Sequence, residues 1–276
     1  MNLFALLKDE HIKRISINQE IQRQLDDYIK DSIHQFVNKE RIDFDGQYKP
    51  ENNQILLISD YNLNYLNKLV IDAEILLKND IEQIKCIIFF YNKNKNQIGF
   101  QIFDNRKIIN PSKFSLIYDS NTFSRLNSKG ITISNTIDVL FDNNQLLFVS
   151  YHNASRVFDL SKYYREASDA EIEKLRNSDV IEFSQDIDNN QFDSIMRKKL
   201  FLIQKNNVLE KVKSQFDEVR KYASNFDIGE CFNNDRIILP KDKKILKNLI
   251  NFLNDDLFKS PITNLLYETN SKKSLK

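Results

Sequence analysis

The sequence predicts an α+β protein, with a mixed, mainly antiparallel sheet body followed by a helical C-terminal region. Short apolar runs separated by polar turns fill the first part of the chain. After Asn153 the apolar spacing changes to threes and fours. Glycine and proline number only four each in 276 residues, which argues against Gly-rich phosphate loops, collagen-like repeats and flexible linkers. An apolar content of 41% and a charged content of 29% suit a packed core and are too balanced for disorder.

The elements follow in order. Ile12 to Ile17 alternates as a strand, and Asn18 is a good N-cap for a helix carrying Ile21, Leu25, Tyr28, Ile29, Ile33, Phe36 and Val37. Arg41–Asp45 and Gln54–Ile58 read as strands joined across 46–50, where Gly46 permits a turn and Pro50 restrains the loop. Leu63 to Leu77 reads as a second helix. Lys85–Tyr91 and Gln97–Phe103 form a hairpin around a polar Asn92–Asn96 turn. Strands are expected at Phe114–Tyr118, Ile131–Ser134, Thr136–Phe141 and Gln145–Tyr151, the last two joined by a tight turn at Asp142–Asn144. Three helical stripes follow: Phe192, Ile195, Met196, Leu200 and Ile203; then Leu209, Val212, Phe216, Val219 and Ala223; then Ile245, Leu246, Leu249, Ile250 and Leu253. Ser260-Pro261 is expected to end a helix. This gives a body over 1–165 and a mainly helical region over 166–276, packed on that body.

Cys86 and Cys231 are too few for a disulfide framework, and Cys86 sits in the apolar run Ile84–Tyr91. No apolar stretch approaches the roughly 18 residues of a membrane span. The apolar run in Met1–Lys8 is short for a secretory signal, so cytoplasmic residence is the default expectation.

Charge is the strongest signal. Glu166 to Asp193 carries nine acids against two bases, and Arg197 to Lys221 eight bases against three acids. That is a swing from −7 to +5 in a chain of formal net charge +1. Arg197, Lys198, Lys205, Lys211, Lys213, Arg220 and Lys221 lie off the apolar stripes, where cations can follow a nucleic-acid backbone phosphate by phosphate. The competing reading is a solvated face, with Asp217 at helical spacing from Lys213 and Lys221. With 29 lysines against 11 arginines, base rates favour that plainer reading. Two further basic clusters occur: Lys241, Lys243, Lys244, Lys247, Lys259, Lys272, Lys273 and Lys276, and Arg106, Lys107, Lys113, Arg125 and Lys129. Tyr163 and Tyr164, beside Arg165, are candidates for stacking on bases, with core packing the competing role.

Catalytic motifs are lacking. His11, His34 and His152 are dispersed, and two distant cysteines do not make a zinc site. There is no G-x-S-x-G, Walker A or G-x-G-x-x-G pattern. Glu-x-Lys is absent, and the one Asp-x-Lys, Asp242-Lys243-Lys244, lies at an expected helix start, where Asp favours the helix dipole.

Two segments carry a resemblance: Ile42–Glu51 leading into Ile55–Ile58, and Phe252–Asp256 followed by Ser260–Thr263, Tyr267, Thr269 and Ser271–Lys273. With Ile137–Val139 and Leu146–Phe158, they resemble the KwaB family of the Kiwa anti-phage system over most of the chain. The resemblance implies a cytoplasmic homodimer that binds DNA, double-stranded phage DNA above all. It also implies work with a KwaA-like membrane protein, through which the chain reaches the inner face of the membrane. It supplies no catalytic residue. The reading is a non-enzymatic effector that occupies DNA, with no cofactor, no metal and no small-molecule substrate. The rivals are a metal-dependent nuclease built from scattered carboxylates and an interaction module that binds no nucleic acid.

Overall fold

The structure, a computed structural model, describes residues 2–63, 72–92, 97–110, 114, 116–119, 121–185 and 187–273. The chain divides into two units. The first is Met1–Phe44 with Pro50–Asp159; the second is Asp45–Lys49 with Leu160–Lys276.

Among the described residues, eight strands form the sheet of the first unit. They are β1 (Asn2–Leu7), β2 (Ile12–Arg14), β3 (Glu40–Asp43), β4 (Gln54–Ile58), β5 (Ile84–Asn92), β6 (Gln97–Ile102), β11 (Val139–Asp142) and β12 (Gln145–Phe148). Two short antiparallel pairs intervene, β7 (Ile108–Ile109) with β10 (Gly130–Ile131) and β8 (Leu116–Asp119) with β9 (Thr122–Arg125). The order is β2-β1-β5-β6-β11-β12-β4-β3, antiparallel except for β3 and β4. That parallel pair departs from a simple hairpin because residues 45–49 belong to the second unit. The turn from β11 to β12 is as tight as its sequence demands, with Asn143 and Asn144 at φ 50 and 61.

Helix α1 (Gln19–Asn38) begins at Asn18, whose side chain accepts the Ile21 N–H at 2.8 Å. It buries Ile29, Ile33 and Phe36 against Leu3, Ala5, Ile87, Phe89, Leu140 and Leu147. Each such buried side chain contributes roughly 1.5–3 kcal/mol. Ile21, Tyr28 and Val37 are exposed, so the buried stripe is narrower than the spacing suggested. Phe4, Leu6, Cys86, Ile88, Phe100 and Phe148, on the opposite face of the sheet, are buried too. Burial on both faces explains why β5 reads as a continuous apolar run. Phe158 meets Phe100 at 4.8 Å, just after α2 (Tyr151–Ser155).

The expected helix at Leu63–Leu77 lies partly outside the described residues. Its last part is extended instead: Arg14 pairs with Ile75, donates to Glu74 O and accepts from Leu76 N–H. Unsatisfied backbone groups on the outer strand β2 outweigh local helix propensity there.

The second unit contains α3 (Asp169–Arg176), β13 (Ile181–Phe183), α4 (Ser194–Lys205), α5 (Val208–Ser214), α6 (Phe216–Ala223), β14 (Phe232–Asn233), β15 (Arg236–Leu239), α7 (Lys243–Leu253), β16 (Leu257–Lys259) and β17 (Leu266–Glu268). Met196, Leu200, Phe232, Leu246, Leu249 and Ile250 lie at the heart of its core. Three readings change. The second stripe breaks at Gln215, φ −141, into α5 and α6. A small sheet, β13-β15-β14, sits among the helices. Ser260-Pro261 does not end a helix: α7 stops at Leu253, and Ser260 opens the β16–β17 hairpin, its Oγ accepting the Ile262 and Thr263 N–H groups. Asp242 does start α7, accepting the Lys244 and Ile245 N–H groups at 2.9 Å each.

Candidate functional site

The seven candidate cations separate into two groups. Arg197 donates to Phe192 O, Ala167 O and Asn189 O and pairs with Asp169 at 2.8 Å, which makes it a structural fastener. Lys213 pairs with Asp179 at 2.6 Å; their hydrogen bond lowers the carboxyl's pKa and raises the ammonium's. Lys205 donates to Tyr163 O at 2.8 Å, and burial lowers its pKa, opposed by Asp45. Lys198 sits 6.0 Å over the Tyr164 ring. Lys211, Arg220 and Lys221 are exposed on α5 and α6 and take no carboxylate partner among the described residues.

The acidic stretch is largely consumed inside the same unit. Ser168 and Glu171 form a capping box at α3. Arg165 grips Glu171 with two bonds of 2.7 Å and, with Ser168, holds its carboxyl at about 2. Asp188 and Asp193 cap the 189–191 turn and α4. Two pairs, Arg197 with Asp169 and Lys213 with Asp179, join the acidic stretch to the basic one, while Glu171, Glu173, Glu182 and Asp193 meet Arg165, Arg176, Arg236 and Lys243. Arg165 also lies 4.6 Å over Phe201. Tyr164 packs against Gly46, where φ is +86 and an added Cβ would come 2.7 Å from the ring. Tyr164 thus packs locally, while the Tyr163 ring has Lys162 and Lys205 at 5.9 and 6.0 Å.

A cavity of about 990 Å³ opens between the α5–α6 face, the end of α7 and residues 45–47 and 272–273. Beneath it lies a buried polar network. Asp256, only 4% exposed, takes Lys199 at 2.8 Å, Lys272 at 2.6 Å and the Asn254 amide at 3.0 and 3.1 Å. Lys199 also donates to Asn251 Oδ1 at 2.5 Å, and Asn251 donates to Glu268 at 2.9 Å. Gln47 reaches Asn254 at 3.5 Å, and the Lys49 N–H donates to Ser271 Oγ at 3.0 Å. A buried carboxylate tolerates low polarity only with partners of this kind.

Sequence reasoning valued 42–51 and 252–256 as carriers of the resemblance and missed that Asp45, Gln47 and Phe252–Asp255 line one cavity. The available signal was Asn251, a polar residue inside the apolar run Leu249–Leu253. Among the described residues, no group of three or more His, Cys, Asp or Glu is placed to hold a metal ion. No described helix is long and apolar enough to cross a membrane. What the arrangement offers is binding chemistry, with cations on α5–α6 beside a cleft that is part apolar and part amide.

A family model described as KwaB: Kiwa protein KwaB-like matches residues 81–263, more than half of the chain. The chain belongs to the KwaB-like family. It is therefore a component of Kiwa anti-phage defence. The match takes in α4 to α7 and the 252–256 network but begins after residues 45–49. No curated protein and no solved structure matches the chain.

Proposed function

We propose that this KwaB-like protein binds duplex DNA through backbone phosphates, using Lys198, Lys211, Arg220 and Lys221 of the second unit. The observation that carries the reading is the split among the cations. Arg197, Lys205 and Lys213 are spent on internal bonds, whereas Lys211, Arg220 and Lys221 stand exposed on adjoining helices without a carboxylate partner among the described residues. Phosphate contacts carry little sequence preference and weaken as salt rises. The protein acts by occupying DNA rather than cutting it, in the cytoplasm, as a homodimer working with a KwaA-like membrane partner. Exposed Phe258, Ile262, Leu265 and Leu266 on the β16–β17 hairpin support self-association.

Gel shifts with duplex DNA over a salt series test the binding. Affinity is expected to fall steeply with salt; a flat response, or no binding at low salt, defeats the reading. Plasmid incubated with Mg²⁺ or Mn²⁺ is expected to stay intact, and carboxylate-dependent cleavage would make the protein a nuclease instead.

A further inference from the structure

The phosphate contacts along α4 to α6 make no use of the neighbouring cavity, although Lys211 lines it. One wall is apolar and partly aromatic, from Val212, Val219, Tyr222 and Phe252. Tyr222 and Phe252 lie 6.2 Å apart at 34°, so they offer a surface for a flat ring rather than a slot between parallel rings. At the rim stand the exposed amides of Asn206 and Gln215, whose side chains take no partner among the described residues. An amide presents a donor and an acceptor together, as the edge of a nucleobase does.

Charge limits the ligand further. Lys211, Lys272 and Lys273 line the cavity, and so do Asp45, Glu218 and Asp255. Lys272 is held by Asp256, and Asp45 accepts the Gln47 and Tyr48 N–H groups at 2.7 and 3.1 Å. What remains is Lys211 and Lys273, the latter 5.9 Å over the Tyr48 ring, beside Glu218 and Asp255, a balance that suits one phosphate and disfavours a polyphosphate.

We propose that this cavity receives one unpaired nucleotide of bound DNA, its base against Tyr222 and the Val212–Val219 wall, its edge on Asn206 and Gln215, its phosphate on Lys211. The inference rests on the DNA-binding reading and deepens it. A duplex with an unpaired base supplies such a nucleotide at small cost, because that base is already without its partner. A paired duplex leaves the cavity empty and binds by phosphates alone.

The test compares the full chain on a short paired duplex and on the same duplex carrying one unpaired adenine. Wild type is expected to bind the second about ten-fold more tightly, the scale of one stacked base. Val219→Trp fills the cavity, and Asn206→Leu with Gln215→Leu strips the rim of its amides. Both variants are expected to bind the two duplexes equally, with affinity for the paired duplex unchanged. Because the amide positions are exposed, the second variant keeps the test decisive if the tryptophan disturbs folding. Equal binding of both duplexes by wild type, or a preference that survives the amide variant, overturns the nucleotide site and leaves phosphate binding standing. Failure to bind either duplex overturns both readings.

Discussion

The two units bury polar groups in different ways. In the first, the buried Ser32 and Gln101 are neutral and bond to backbone, and the buried Asp142 lies 3.8 Å from one cation, Arg41. Ser32 Oγ accepts the Ile137 N–H at 3.0 Å, and Gln101 bridges Ser134 and Thr136. In the second, the central buried group is a carboxylate, Asp256, between the ammonium groups of Lys199 and Lys272. A neutral amide brings no charge to its partners, whereas Asp256 meets two ammonium groups in a buried setting. Shape and strand register thus specify most of the first unit, and a buried cluster of paired charges adds to them in the second.

Removing the central group of each unit gives the largest expected effects. Phe89→Ala, at a fully buried site on β5, is expected to cost about 4 kcal/mol through lost contacts and the cavity left behind. Asp256→Leu is expected to cost about 3–5 kcal/mol because it strands two half-buried ammonium groups. The comparison is sharpened by Asp256→Leu with Lys199→Met: recovery of a good part of the loss in urea denaturation marks charge as the cause. No recovery would mean that the second unit, like the first, depends mainly on packing.

Gly46→Ala comes next, at about 2 kcal/mol. It places a Cβ at φ +86 and against Tyr164. Denaturation should show this loss in the transition of the second unit, although residue 46 lies far from 160–276 in sequence. A loss confined to the first unit would contradict the division of the chain.

The fold was legible where a pattern is local. The β11–β12 turn, the Asn18 cap and the β5–β6 pair follow from alternation and turn chemistry a few residues long. The parallel pairing of β3 with β4, the extended backbone at Glu74–Leu76 and the sheet between helices depend on partners distant in sequence. So does the cavity. Asp256 and Lys199 lie far apart, and nothing near either names the other. The charge swing was legible as a count, but Arg197 and Lys213 are bound to acids 28 and 34 positions away, and spacing along a helix does not reveal such partners.

A more discriminating effect follows from that split. Arg197→Glu is expected to lower stability by about 2 kcal/mol, because several carbonyls lose a charged donor. Arg220→Glu is expected to leave stability within about 0.5 kcal/mol. On DNA, loss of the Arg220 contact should reduce the salt slope by about 1. Unfolding and gel-shift measurements on both variants check the pair, and equal behaviour would erase the distinction between fastening and binding cations.

The last expected effect concerns pH. The Glu171 carboxyl is lowered from 4.5 to about 2 by Arg165 and Ser168. Its contribution is present above about pH 4.5 and is lost as pH falls toward 2. Glu171→Gln is expected to lower stability by about 1 kcal/mol at neutral pH and to converge with wild type in acid. Urea midpoints between pH 6 and 2 check this, and a constant gap would assign the loss to geometry.

The excursion of residues 45–49 sets a timetable for synthesis. Gln47 and Lys49 leave the ribosome long before Asn254 and Ser271, which lie 207 and 222 positions further on. The first sheet can assemble strand by strand while β3 and β4 hold that loop between them. The second unit must wait for its downstream residues, so a fragment beginning at residue 160 is born without one wall of its cavity.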